Sequence, residues 1–286
     1  MIKSKSEKIG DYTIAFICFL FILICLLPLI NVIARSFSSP ESLIRNEVAL
    51  WPKKFSVDAY KTILSDSKYT WSLLWTAILT VICTIVSMVM TTICAYPLIY
   101  DHLKGRRFIN IFIIFTMYFN AGTIPNYLLF KDLHLLDKPL VLILPSCLSV
   151  FNMIIMRSFL QNIPDSIRES AEIDGAGPIR ILVSIYLPMS TSVIATLSLF
   201  YAVGRWNGFS DALMYMNDTK FYPIQLLLYN IINNVQNIDT ANEVVPGVSE
   251  TIKSATVIFA TVPILLVYPW LQRYFISGVT LGAEKG

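Results

Sequence analysis

The sequence contains little charge. Asp, Glu, Lys and Arg make up 14% of its 286 residues, whereas hydrophobic residues make up 55%. A soluble domain usually carries about 25% charged residues. The mean hydropathy of +0.63 agrees with this deficit, so the composition predicts a membrane protein. The net charge of +3 is small and no block of like charges is present, so nothing indicates nucleic acid as a partner.

The sequence also lacks the short motifs of common catalytic and metal sites. It has no G-x-x-x-x-G-K-[ST] pattern, so we expect no ATP hydrolysis through a P-loop. The five cysteines show no C-x-x-C spacing, and His102 and His134 lie far from any Cys or Glu cluster. We therefore expect no metal site, no disulfide framework and no enzymatic activity.

Long charge-free runs dominate the chain instead. A helix needs about 20 apolar residues to cross the hydrocarbon core of a bilayer. Six runs meet or approach that length: Tyr12–Ala34, Tyr69–Tyr100, Phe108–Phe130, Pro139–Met156, Ile181–Gly204 and Ser254–Gln272. The first run is longer than a signal-peptide core, so we interpret it as a retained helix. The sequence thus predicts an all-α integral membrane protein with six transmembrane helices.

One further charge-free run, Phe221–Ile238, is too polar to cross a membrane. Its apolar residues follow i, i+3, i+4, i+7 spacing among asparagines and glutamines. This pattern is typical of an amphipathic helix with one buried face. We expect this helix in an outer loop.

Basic residues near the ends of short loops indicate the orientation of the spans. Three lysines precede the first run, and the loop DHLKGRR between the second and third runs carries three more basic residues. We therefore predict that both termini face the cytoplasm (N-in/C-in). Residues 1–70 then form a transmembrane helix and an outer loop, residues 71–276 form the membrane core, and residues 277–286 form a cytoplasmic tail.

A charged segment, residues 164–188, lies between the fourth and fifth runs and would face the cytoplasm. Ser166 and Glu169 have capping-box spacing, which predicts a helix start. Gly-Ala-Gly then predicts a break, and Pro178 suits the first turn of a second short helix. Its charges would be costly inside hydrocarbon. These residues fit a helical hairpin resting on the membrane and a docking site for another protein equally well.

The order of residues in the charged segment resembles the EAA motif of ABC importer permeases. That motif reads E-A-A-x3-G-x9-I-x-L-P, and this chain matches every fixed position except the second, where small Ser170 replaces Ala. The sequences DGA and QRYFISGVTLGAEKG resemble the malG-like carbohydrate-uptake permeases. FNAGTIPNYLLF and VGRWNGF resemble the subgroup for complex or uronic-acid-containing oligosaccharides. The resemblance covers roughly Trp71 to Gly286.

The resemblance implies a type I ABC importer permease fold in the bacterial plasma membrane. It implies that the chain forms half of a sugar or oligosaccharide pathway, paired with a second and usually different permease subunit. Two cytoplasmic ATPase subunits would bind the ATP and Mg²⁺, so this chain itself needs no cofactor. An extracytoplasmic solute-binding protein would deliver the substrate.

In such importers the EAA segment is the coupling helix that meets the ATPase, a role the resemblance gives to the charged segment. Glu169 would present a charge to the ATPase. Ala171 and Gly175 would allow close approach and the turn. Asp174 would accept backbone N–H bonds of that turn. Leu187 and Pro188 would join the segment to the fifth span.

Polar residues within or beside the spans are the candidates for contact with substrate. Asparagine suits sugar hydroxyls, tryptophan suits the apolar face of a sugar, and arginine suits a uronate carboxylate. For each candidate singly, helix–helix hydrogen bonding or anchoring at the membrane interface is the competing interpretation. The candidates are Asn120, Asn152, Arg205, Trp206 and Asn207.

Other functions remain open at this stage. An ABC permease for a non-sugar solute would share the motif. A secondary transporter would normally place more ionisable residues in its spans, and a membrane enzyme would need a nucleophile–base pair or a metal ligand set. A purely structural subunit is a further alternative. The outer amphipathic helix would touch the binding protein, its own spans or the partner permease.

Overall fold

The computed structural model describes residues 5–119, 121–238 and 246–283, and every element in those ranges is helical. No strand occurs in them beyond an isolated bridge between Ser38 and Phe55. The fifteen α-helices are α1 Lys5–Ser36, α2 Pro40–Ile44, α3 Asp58–Ser65, α4 Ser67–Ala95, α5 Arg106–Tyr118, α6 Thr123–Asp132, α7 Leu140–Ile143, α8 Val150–Gln161, α9 Asp165–Ile173, α10 Pro178–Ile181, α11 Leu187–Met189, α12 Thr191–Asn207, α13 Ser210–Tyr215, α14 Ile224–Ile238 and α15 Pro246–Ala283.

Three helices of the described residues are long and apolar enough to cross a membrane: Gly10–Ser36, Ser67–Ile99 and Glu250–Val267. They correspond to the first, second and sixth predicted runs. The other three runs form helix pairs bent by more than 40°, so the described chain has up to six spans if each pair counts as one. The predicted N-in/C-in orientation stays a prediction.

Each bent pair breaks where the backbone cannot continue an α-helix. Gly122 separates α5 from α6 with a left-handed φ of 94°, a conformation that favours glycine. Pro145 lies in a 3₁₀ turn between α7 and α8, which meet at 49°. The α10–α11 segment contains a π-helical turn, Leu182–Tyr186, and meets α12 at 84° after Ser190. The breaks were not visible to a hydropathy count, because composition alone does not report bending.

The chain divides into two compact units. The first comprises Met1–Thr70 and Leu227–Val262. In it Ile63 and Ala255 are fully buried in a small core, and Arg35 Nη2 lies 2.8 Å from Glu250 Oε2. The second unit comprises Trp71–Leu226 and Pro263–Gly286. The predicted domain boundaries stay predictions.

The second unit contains two hydrophobic clusters. One contains Tyr96, Met156, Ile181 and Tyr186, and Ala171 of the charged segment packs against it. The other joins α4, α7 and α13 through residues such as Leu79, Leu142 and Ala212. The first cluster therefore fixes the charged segment to the rest of the unit. The second cluster packs around the region of Arg205.

Candidate functional site

The first half of the charged segment is the short helix α9. Its N-cap is Pro164, which has extended backbone (ψ 131°) and no side-chain cap. The predicted capping box of Ser166 and Glu169 is therefore wrong. Because the helix begins at Asp165, Ser166 already lies in the first turn, and its carbonyl accepts a 2.8 Å hydrogen bond from Ser170 Oγ.

A glycine turn ends α9 as the sequence predicts. Gly175 adopts φ +77°, the left-handed conformation common after a helix C-terminus. Ala176 N donates to Ala171 O at 2.9 Å and Gly175 N donates to Glu172 O at 3.0 Å. This pair of bonds is a Schellman motif. The backbone N–H groups of the turn therefore bond to backbone carbonyls and not to the Asp174 carboxylate, which corrects that expectation.

The second half of the charged segment starts at Pro178, the first residue of α10, as predicted. Pro178 has no N–H to leave unsatisfied and its φ suits a first helical turn. The π-helical turn follows, and the N–H of Leu187 bonds to the carbonyl of Leu182, five residues back. Leu187 and Pro188 then form α11, directly before the bend into α12.

Two tyrosines and an arginine anchor the charged segment to the C-terminal end of α4. Tyr96 Oη donates to Pro178 O at 3.1 Å and lies 2.5 Å from Tyr100 Oη. The Arg168 guanidinium lies 4.9 Å from the centroid of the Tyr100 ring, a cation–π distance, and pairs with Asp165 at 3.1 Å. Sequence reasoning missed these residues, although the i, i+4 tyrosines at the end of the second apolar run were a signal.

The outer face of the charged segment is exposed. Glu169 and Asp174 are exposed, and no hydrogen bond or ion pair within the described ranges engages either carboxylate. Ile173 and Ile179 are 86% and 78% exposed. No atom lies within 4 Å of where a Gly175 side chain would start. Exposed acids, exposed large apolar residues and an open glycine form a surface suited to a protein partner.

A second candidate site is a polar cavity of about 660 Å³. Two of the predicted substrate residues, Asn152 and Arg205, line it, whereas Trp206 and Asn207 do not. Trp206 is buried, Asn207 Nδ2 donates to Val203 O at 3.0 Å, and Asn120 lies outside the described residues. The lining residues are Cys83, Ser87, Ser146, Ser149, Phe151, Asn152, Phe200, Tyr201, Gly204, Arg205, Gly208, Ser210 and Asp211.

Arg205 is held by a carboxylate that the sequence did not suggest. Its side chain is only 6% exposed and forms a two-point ion pair with Asp211. Arg205 Nη1 also donates to Leu142 O at 3.2 Å, and Nη2 donates to Gly208 O at 3.1 Å. The pair therefore ties the end of α12 to α13 and α7. No motif pointed to Asp211, because the partnership depends on how the chain turns after Asn207.

Within the part of the chain that the structure describes, no group of three or more His, Cys, Asp or Glu side chains could hold a metal ion.

Comparison with known proteins gives matches along almost the whole chain. Residues 70–281 match the family described as "Binding-protein-dependent transport system inner membrane component". The polygalacturonan/rhamnogalacturonan transport system permease protein YtcP of Bacillus subtilis (strain 168) is 42% identical over 284 residues, covering 98% of this chain and 99% of the relative. Protein LplC of the same organism is 42% identical over 267 residues, covering 92% and 90%.

Two solved structures are similar as well. A chain of a bacterial ABC transporter involved in the import of the acidic polysaccharide alginate superposes with a TM-score of 0.87 at 30% identity, covering 96% of this chain and 99% of that chain. A chain of a bacterial alginate ABC transporter, solved with its alginate pentasaccharide-bound periplasmic protein, gives a TM-score of 0.59 at 16% identity, with coverage of 94% and 96%. The second likeness bears on the fold alone.

Proposed function

Since this chain belongs to the family of inner membrane components of binding-protein-dependent transport systems, we propose that it is a permease subunit of a bacterial importer for carbohydrates. The predicted family and the ABC importer permease fold are confirmed. The chain is a multi-pass membrane protein of a transport family, and we place it in the bacterial plasma membrane.

The substrate class follows from the named relatives. A relative with 42% identity over nearly the full length is named for polygalacturonan and rhamnogalacturonan, and the 30% identical structural neighbour serves alginate import. All three of these polysaccharides contain uronic acids. We therefore propose that the cargo is oligosaccharides derived from plant or algal polysaccharides, and that a binding protein delivers them to the permease.

The charged segment carries the mechanistic part of the proposal. Its exposed Glu169 and Asp174 are not engaged by the described chain, and the open Gly175 turn lets another surface approach the backbone. We propose that two ATPase subunits dock on such segments, one from this chain and one from a second permease. A tethered segment is needed to transmit force, and the Tyr96 bond to Pro178 and the Arg168 contact with Tyr100 supply the tether.

ATP then acts through the partners. ATP shifts a two-state equilibrium only through different affinities for the two states, and no P-loop exists in this chain to bind it. The docked ATPases would bind ATP and Mg²⁺ and close, and the charged segment would pass that motion to the spans. This chain would contribute no chemical step.

Co-expression with candidate permease and ATPase genes tests the proposal. We expect an affinity-tagged version of this chain to co-purify with a second permease and an ATPase. In proteoliposomes that complex should take up trigalacturonate only with both ATP and the binding protein present, and omitting the binding protein is the control. Uptake driven by an ion gradient without ATP would contradict the proposal in favour of a secondary transporter.

A further inference from the structure

The polar cavity is lined by two charged side chains, Arg205 and Asp211, which form an ion pair and neutralise each other. The four contacts of the terminal guanidinium nitrogens already go to Asp211 and to the carbonyls of Leu142 and Gly208. The Nε–H of Arg205 has no partner among the described residues but is buried, so an incoming carboxylate would have to displace Asp211 to reach the guanidinium. The cavity therefore presents no free positive charge to an acidic sugar.

The rest of the lining is uncharged and suited to hydroxyl groups. Asn152 is 6% exposed, and no protein partner bonds to its amide within the described residues, although the side chain borders the cavity. An amide that is buried in protein and unpaired needs a donor and an acceptor from elsewhere. Ser146, Ser149 and Tyr201 also line the cavity. Their hydroxyls already bond to other groups of the protein, so the unpaired Asn152 amide is the main polar group offered to a ligand, and Phe151 adds an apolar ring.

We propose that this cavity binds one sugar unit through its hydroxyl groups, with Asn152 as the principal contact. We further propose that Asp211 determines the charge preference of the cavity. By occupying Arg205, Asp211 lets the cavity accept neutral and acidic sugar units alike. The inference rests on the proposed carbohydrate function and adds the residues that select the cargo.

The test measures binding to the detergent-solubilised complex without the binding protein, so that delivery plays no part. The probes are trigalacturonate and its fully methyl-esterified form, which share the same rings and differ in charge. For the wild-type complex we expect similar affinities for the two probes. In Asp211→Asn the freed Arg205 charge should favour the acid over the ester by about tenfold, and Asp211→Glu should restore the wild-type ratio.

A second pair of variants keeps the proposal testable if Asp211→Asn does not assemble. Asn152→Ala should weaken both probes equally, by up to about tenfold. Asn162→Ala is the matched control, because this asparagine ends the same helix, is exposed, and bonds to Ser158 O at 3.0 Å.

Three results would overturn the inference: unchanged binding in Asn152→Ala, an unchanged ratio in Asp211→Asn, or a strong preference for the acid in the wild type. If the wild-type complex takes up no sugar at all with the binding protein and ATP, the proposed function fails instead.

Discussion

The charged segment and the polar cavity use the same residue types in opposite ways. In the charged segment Glu169 and Asp174 are exposed and the described chain leaves them unpaired. In the cavity both carboxylate oxygens of Asp211 accept hydrogen bonds from Arg205, and Oδ1 also accepts one from the N–H of Ala212 at 2.9 Å. An acid satisfied by its own chain holds the fold together, whereas an unsatisfied acid at the surface is available to a partner.

The two regions should therefore respond differently to mutation. Changes in the outer face of the charged segment should reduce transport with little loss of stability. Changes in the Arg205–Asp211 pair should reduce stability, because a buried charge without its partner is costly. The four predictions below test this contrast, starting with the largest expected effect.

Gly175→Asp should abolish uptake while the protein still reaches the membrane. The side chain enters open space, but the left-handed φ of +77° costs a residue other than glycine about 1–2 kcal/mol. We expect the protein to stay folded despite this cost, whereas the added charge and bulk lie where we expect the ATPase to approach. Uptake assays and membrane immunoblots measure the two effects. Gly105→Asp is the matched control, since Gly105 has a similar left-handed φ of +80° and open surroundings but lies outside the charged segment. Uptake near wild type in Gly175→Asp would remove the coupling assignment.

Asp211→Ala should destabilise the protein by about 3–5 kcal/mol, because it leaves the Arg205 guanidinium buried and without its carboxylate. Thermal unfolding of the purified protein would show this as a lower Tm. The double variant Arg205→Met/Asp211→Ala should recover most of the loss. An unchanged Tm in the single variant would mean that the ion pair does not hold α12 to α13.

Glu169→Ala should change the free energy of unfolding by no more than about 0.5 kcal/mol, as expected for a surface substitution away from structural contacts. The Tm should therefore stay unchanged. The substitution should still lower uptake several-fold and weaken co-purification of the ATPase. A lower Tm with normal uptake would reverse the contrast drawn between the charged segment and the cavity.

The smallest effect concerns Asp137, another acid satisfied by its own chain. The backbone N–H groups of Asp218 and Asn217, at 2.8 and 2.9 Å, hold the pKa of the Asp137 carboxyl below its usual range. The ionised Asp137 carboxylate therefore stabilises the fold at pH values above its unfolded pKa of about 3.9. This stabilisation is lost as the pH falls through the lower pKa of the folded state. Asp137→Asn should flatten the fall in Tm between about pH 5 and pH 3. Identical pH profiles would contradict this role.

Much of the fold could be predicted from the sequence because hydropathy and helix breakers act locally. The apolar runs predicted where long helices lie, and glycine and proline marked the turn after α9 and the start of α10. The capping box was wrong because Pro164 is the N-cap, and its extended backbone starts the helix two residues earlier than the Ser166 cap would. Asp174 was given the wrong bonding because backbone carbonyls already satisfy the turn.

The candidate functional residues also differ in whether a local sequence pattern could predict them. Glu169 and Gly175 could be singled out because they belong to a contiguous sequence motif, and their role at the ATPase stays a prediction. Tyr96 was missed because its contact with Pro178 joins distant segments. Asp211 was missed because its pairing with Arg205, although only six residues apart, depends on how the chain turns after Asn207. Of the substrate candidates, Asn152 and Arg205 line one cavity, and only packing distinguishes them from Trp206 and Asn207.

The sequence by itself determined the membrane character, the helical class, the absence of a P-loop and the position of the charged segment. Each of these depends on composition or on residues adjacent in the chain. Only the tertiary structure decided where three of the apolar runs bend, which residues anchor the charged segment, and that Arg205 is neutralised by Asp211. The angle of each bend and the bond between Tyr96 and Pro178 depend on how separate segments pack together. The Arg205–Asp211 pair joins residues only six positions apart, but it forms because the chain turns after Asn207, and no motif in the sequence encodes that turn.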